Sequence, residues 1–197
     1  RPVLSEFLEG FASPSYRYSA IYFLRLFFDF LGVETNPARH IKFPKINPAA
    51  QVKFIEPHEL IQLMEVLKQK VQLGQYLRES AIVHLMIFTG LRISEVLALR
   101  KEDIQPSGVI LIRDSKTHES RVTQIPKEVI DAIQAYHKAY PNPNTPYVFY
   151  PYREQSRPFS TLSYSAVQTM IQKLFKEAGI YKKGRNLHAF RHTFARS

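Results

Sequence analysis

Two short stretches of this chain place arginine and histidine where they could share one anion. Near residue 90 the sequence runs Thr89-Gly90-Leu91-Arg92-Ile93-Ser94-Glu95, and about a hundred residues later it runs His188-Ala189-Phe190-Arg191-His192-Thr193. Arg92 follows a glycine turn at the expected start of a helix, while His188 and Arg191 are three apart and project from neighbouring positions on another. Two guanidiniums and an imidazole suit the gripping of one phosphodiester and the stabilisation of the added negative charge of a pentavalent transition state. The plainer reading is that these arginines merely neutralise backbone phosphates. That reading explains the charge but not why the groups stand beside the most apolar segments, where unpaired charge is costly and tends to mark function. His188 and His192, four apart, suggest zinc at first sight, yet the chain holds no Cys and no nearby Glu completes a ligand set. Neither a metal nor a cofactor is expected.

Those residues need elements to hold them. Residues 81–88 are apolar on every side except at His84, which predicts a central core helix delivering the chain to Thr89-Gly90, with His84 a satisfied core histidine. Ile93, Val96, Leu97 and Leu99 predict a short helix after Arg92. The period then changes to that of β-structure at residues 109–113 and 121–125, with residues 114–120 as the turn of a hairpin and Lys116 at its tip. Helical patterns return from Pro126 to Ala139 and from Ser163, where Val167, Ile171, Leu174, Phe175 and Ala178 point inward and Gly179 is the stop. In the last helix, from about Leu187, Leu187, Phe190 and Phe194 form a packing face beside His188 and Arg191. Upstream, Pro57 starts a helix with a Leu60, Leu63, Met64 and Leu67 stripe. Residues 16–31 predict a well-buried helix rich in Tyr, Phe and Leu that needs partners on more than one side. The fold class is therefore mainly α with a small antiparallel β-hairpin sheet. Residues 1–35 are expected to be part of a small helical domain, 36–55 a basic extended linker, and 56–197 the working domain.

With 197 residues, 45% of them hydrophobic, the chain can bury a sizeable core. Its 27 Lys and Arg against 17 Asp and Glu give a net charge of +10, which favours a polyanionic partner, nucleic acid above all. A membrane is set aside because the apolar runs are broken by Arg25 and Asp29 or by His84 before reaching spanning length. The lack of Cys and of a visible signal peptide suits a reducing cytoplasm, here that of a prokaryote with the protein on the nucleoid. No acid occurs over residues 38–55 or 182–197, so Lys42, Lys45, Lys53, Lys182, Lys183 and Arg185 are candidate DNA contacts, as is Arg121 on the hairpin. An ordinary solvated connector is the alternative for the first of these stretches.

The motifs in order resemble those of the tyrosine recombinases, the family of phage and transposon integrases and Xer-type resolvases. Thr-Gly-Leu-Arg-Ile-Ser-Glu-Val-Leu-Ala-Leu from Thr89 resembles that family's first arginine box. Asp114-Ser115-Lys116-Thr117 followed by Arg121-Val122 resembles its lysine-bearing hairpin, and residues 187–195 its second box. The likeness covers residues 54–197, and more weakly residues 16–33 resemble the last helix of the family's core-binding domain. It implies a DNA breaking-rejoining catalytic fold and site-specific recombination through a 3′-phosphotyrosine intermediate. Its context would be integration or excision of a mobile element by a homotetramer on duplex DNA with specific sites. Arg92 and Arg191 would hold the non-bridging oxygens of the scissile phosphate, His188 would assist proton transfer, and Lys116 would protonate the leaving 5′-hydroxyl. Glu95 would orient an arginine from behind, or serve its helix dipole as a first-turn acid. The family's nucleophilic tyrosine lies a few tens of residues past the second box, and none of the 11 tyrosines here stands at that place. A fragment of an active enzyme, a catalytically inactive DNA-binding protein and a type IB topoisomerase-like enzyme all remain open on these residues.

Overall fold

The computed structural model describes residues 2–45, 54–113, 120–151 and 161–196. Two compact units make up the chain, residues 1–51 and 52–197.

In the first unit α1 (Pro2–Glu9) precedes α2 (Pro14–Phe30), which begins with a proline in its first turn and stops just before Gly32. Asn36 accepts the Ala38 N–H on its side chain, opening a 3-10 turn at Pro37–His40. The Asn36 amide donates to the Arg25 carbonyl and to Asp29, and Arg25 donates to the carbonyls of Ala38 and Ile41 while stacking over the Phe43 ring. The expected extended linker thus begins as a structured return against α2, because Arg25 and Asn36 supply the partners its backbone needs. The expectation of a well-buried α2 is also corrected. Ile21 is its one buried residue, and Phe23, Phe27 and Phe30 are exposed. Packing by α1 and the 3-10 turn covers one face of a helix whose apolar residues run most of the way round.

The second unit is built on α4 (Leu77–Thr89), whose Ala81, Ile82, Val83, Leu85 and Met86 are at most 1% exposed. Around it pack α3 (Pro57–Gln72), α5 (Ile93–Ala98), α6 (Lys127–Ala139) and α8 (His188–Phe194), with α7 (Tyr164–Glu177) against α3 and α5. In this unit Leu63 and Leu67, Val129 and Ile133, Val167, Ile171, Leu174 and Phe175, and Leu187 and Phe190 join one core, whereas Phe194, expected on the same packing face as Leu187 and Phe190, is exposed. Each such side chain contributes about 1.5–3 kcal/mol by leaving water. His84 is half-buried, with Nδ1 2.8 Å from the Ser80 carbonyl, at the rim of an apolar groove between α3, α4 and α6. The hairpin forms as expected from β1 (Val109–Arg113) and β2 (Ser120–Gln124), antiparallel with Ile112 opposite Arg121 and Arg113 opposite Ser120. Its tip, with Lys116, lies outside the described residues.

One device starts three helical segments. The N–H of Glu56, of Arg92 and of Arg100 is accepted by a carboxylate three residues on, that of Glu59, Glu95 and Asp103, at 2.9, 2.7 and 3.0 Å. All three acids do more than cap. Glu59 is buried and accepts 2.7 Å contacts from both Arg185 and Lys182, and Arg185 also donates to the carbonyls of Ile180 and Phe54. This knot ties the loop before α8 to the start of α3. Thr193 reinforces it from α8 itself, its hydroxyl accepting the Ile55 N–H at 2.9 Å.

At the far end of α4, Gly90 takes φ +60, donating its N–H to the Met86 carbonyl and turning the chain out of the core. Thr89 seals the exit: its hydroxyl donates to the Leu85 carbonyl and accepts the Leu91 N–H. A side chain at Gly90 would overlap the Phe194 ring. Gly90→Ala is therefore expected to cost about 2 kcal/mol, of which about 1 kcal/mol, the left-handed backbone component, persists in a Phe194→Ala background. Urea titration of the four proteins measures both figures.

Burial alone would raise the Glu59 pKa, but the hydrogen bonds from Arg185, Lys182 and the Glu56 N–H outweigh it and bring the carboxyl down from 4.5 to about 2. A folded pKa below the unfolded one stabilises fully above pH 4.5 and is lost as pH falls toward 2. Urea midpoints should drop steeply across that window. Glu59→Gln should flatten the drop and, by stranding the buried Arg185 charge, cost about 3–5 kcal/mol at neutral pH.

Candidate active site

Arg92 stands at the head of α5, directly after the Gly90 turn, because α4 is too apolar to let the chain leave except at its end. Its backbone N–H is held by Glu95 Oε2, and its NH1 reaches Glu95 Oε1 at 3.3 Å. The Glu95 side chain is only 7% exposed, whereas that of Arg92 is 53% exposed. The two oxygens of Glu95 are divided: Oε2 caps the helix through the Arg92 N–H and Oε1 meets the Arg92 guanidinium. That oxygen has a second guanidinium on it, Arg121 NH2 at 2.8 Å, reaching across from β2.

Arg191 arrives from α8. Its NH1 donates to the Gly90 carbonyl at 2.7 Å, so the second arginine rests on the turn that launches the first, 101 positions away in sequence. His188, one turn earlier on α8, is exposed, and its N–H is accepted by the Asn186 side chain at 3.0 Å, which fixes the first turn of the helix. Arg92, Arg121 and Arg191 are thereby gathered about the turn that ends α4, while His188 stands one turn from Arg191 on α8. The contacts described for Arg92 and Arg191 engage one of the five N–H donors that each fork carries. One carboxylate against the Arg92 and Arg121 guanidiniums leaves a net positive pair, and Arg191 is held by a carbonyl, which takes none of its charge away. The place is electrostatically ready for an anion.

The remaining candidates divide. Lys42 and Lys45 are exposed in the first unit, and Lys182 and Lys183 are exposed before α8, Lys182 being paired with Glu59. Lys53 lies outside the described residues. Arg185 is corrected: it is 1% exposed and committed to Glu59 and two carbonyls, so it cannot lie along a phosphate backbone. Arg121 is engaged with Glu95 instead of standing free on the hairpin. Sequence reasoning missed the Gly90 carbonyl, since a backbone acceptor leaves no mark on residue types. It also missed Glu59, although the Glu56-to-Glu59 spacing beside Pro57 was a visible capping signal. Among the described residues no group of three or more His, Asp or Glu is placed to hold a metal ion, and no helix is long and apolar enough to cross a membrane.

Comparison with known proteins agrees with this arrangement. Residues 53–197 match the model of the phage integrase family. Tyrosine recombinase XerA of Pyrococcus furiosus is 30% identical over 174 residues, which are 87% of this chain and 56% of that protein. Tyrosine recombinase XerC of Xanthomonas campestris pv. campestris is 29% identical over 164 residues, 83% of this chain and 48% of the relative. The chain therefore spans about half the length of the curated relatives it matches. The crystal structure of XerA recombinase superposes with a TM-score of 0.61 at 26% identity, covering 93% of this chain and 61% of that one. A lambda integrase dimer bound to a COC′ core site superposes at 0.72 with 15% identity over 98% of this chain and 55% of its own, a likeness of fold alone. A mainly helical unit with a two-stranded sheet is thus the tyrosine recombinase catalytic fold, and the chain belongs to the phage integrase family.

Proposed function

We propose that this chain is part of a site-specific DNA recombinase that cuts and rejoins duplex DNA through a 3′-phosphotyrosine intermediate. The observation that carries the reading is the bond from Arg191 to the Gly90 carbonyl, which brings the second arginine to the root of the first. Two guanidiniums converging from different helices fit the non-bridging oxygens of a single phosphodiester better than they fit two separate backbone phosphates.

In this mechanism a tyrosine hydroxyl, expected a few tens of residues past the second box, attacks phosphorus. Arg92 and Arg191 take up the charge that grows on the equatorial oxygens. His188 hydrogen-bonds at the same phosphate and assists the proton transfer. The bond to the 5′-oxygen breaks, and Lys116 supplies the proton that turns a poor alkoxide leaving group into a hydroxyl. A second strand's 5′-hydroxyl then attacks the phosphotyrosine, restoring the tyrosine and joining the new partner. Exchange of strands between two sites calls for four protomers, and the natural context is integration or excision of a mobile element. Lys42, Lys45, Lys53, Lys182 and Lys183 contribute non-specific attraction to the duplex, and the first unit takes the role of a core-binding domain.

The charge of +10 leads to a salt-dependent affinity. With about six phosphate contacts, log affinity against log salt has a slope of about −5 in a fluorescence titration with duplex DNA, and a slope near zero removes nucleic acid as the partner. In the full-length protein Arg191→Ala is expected to slow cleavage by about 10²- to 10⁴-fold while altering duplex affinity by less than about tenfold. Equal losses of both would reduce it to a backbone contact. Lys116→Ala should be slow on ordinary DNA and nearly normal on a substrate whose leaving oxygen is replaced by sulfur, since a thiolate departs without a proton.

A further inference from the structure

The hairpin is clamped at both strands just before its tip. On β1, Arg113 donates to Asp103 through Nε at 2.9 Å and NH2 at 2.6 Å, and also reaches Glu102. On β2, Arg121 donates to Glu95 at 2.8 Å. The two clamps differ in one respect. Asp103 and Glu102 belong to a short 3-10 segment at Lys101–Asp103, whereas Glu95 is the acid that holds Arg92.

We propose that Arg121 is a positioning residue for the reaction, fixing the Arg92 guanidinium through their shared Glu95 oxygen and tying the turn end of the hairpin to it. The Arg92 contact to that oxygen is the longer of the two, 3.3 Å against 2.8 Å. Arg121 is therefore the tighter guanidinium on that oxygen, and with the Arg92 N–H already holding Oε2 at 2.7 Å it prevents Arg92 from closing both arms of its fork on Glu95 and turning away from a substrate. Ile112 and Arg121 face each other across the ladder, one step inside the final pair, so a rigid strand carries this restraint. The arrangement makes one acid the common reference for the transition-state arginine and for the element that bears Lys116. Arg121 acts through Glu95 and touches no reacting atom. The inference rests on the recombinase reading for its catalytic consequence, while its structural half is independent of it.

The test uses the full-length protein and a duplex containing the site that the wild type cuts. Arg121→Gln should lower the single-turnover rate at saturating DNA by about 10- to 100-fold and leave the Kd within about threefold, as expected for a misplaced group and not a lost contact. Arg121→Lys, which keeps a donor near Glu95, should recover much of the rate. Arg121→Gln combined with Glu95→Gln should be no slower than the slower single variant. A raised Kd, a salt slope smaller by about 1 and an unchanged rate at saturation would make Arg121 an ordinary phosphate contact and overturn the proposal. So would losses that simply add. Nitrogen-15 NMR of the Arg92 side chain decides the structural half without activity: rotation about its Nε–Cζ bond should be several-fold faster in Arg121→Gln, and an unchanged rate overturns it. If the wild type cuts no duplex, the recombinase reading fails and the NMR result still stands on its own.

Discussion

The constraint from which the rest follows is that α4 can be left only at Gly90. A helix packed by α3, α5, α6 and α8 offers no place for the chain to bend until its apolar run is finished, and the turn that ends it must be sharp enough to clear the core. The left-handed conformation at Gly90 makes that turn. Its consequences are then local and definite: Arg92 emerges at the head of α5, the Gly90 carbonyl faces Arg191, and the space a side chain would have filled is taken by Phe194. A rigid, dry core thus meets a polar site across a single peptide, and precision in the site is inherited from packing beneath it.

Gathering like charges in one place needs compensation, and the compensation here is unequal. Glu95 balances part of the charge of Arg92 and Arg121 while spending its other oxygen on a helix cap. Arg191 is held by a carbonyl dipole alone among its described contacts, so its full charge stays available. Elsewhere the balance is nearly complete: Arg185 is sunk against Glu59 and serves as a rivet between α3 and the loop before α8. The same residue type therefore does two jobs, decided by whether a carboxylate sits close enough to neutralise it. The positive field that favours a phosphodiester is what remains after these pairings.

Much of this was legible in the residues because it depends on short-range patterning. The apolar run of α4, interrupted at His84 alone, the stripe on α7 and the glycine before Arg92 each announce an element and its end. The pairing of His188 with Arg191 needs nothing beyond helical spacing. What escaped was long-range. Arg185 looked like one more basic residue in an acid-free stretch, but its partner Glu59 stands 126 positions earlier, and no local pattern can join them. The bond of Arg121 to Glu95, 26 positions away, is hidden for the same reason. The aromatic wealth of α2 suggested deep burial, yet composition reports only what a helix can bury, and the neighbours in its unit cover one face. The start of the basic stretch after residue 35 folds back because Asn36 and Arg25 find each other, an outcome of side-chain geometry that charge counting does not see.

The central claim is that Arg92 and Arg191 act on one phosphate. A crystal structure of the full-length protein on a duplex carrying its cut site measures this directly. The account predicts that both guanidiniums lie within about 3 Å of non-bridging oxygens on the same phosphodiester, with His188 beside it and the Arg191 bond to the Gly90 carbonyl intact. Guanidiniums resting on the phosphates of different nucleotides, or Arg191 swung away from Gly90, would contradict it.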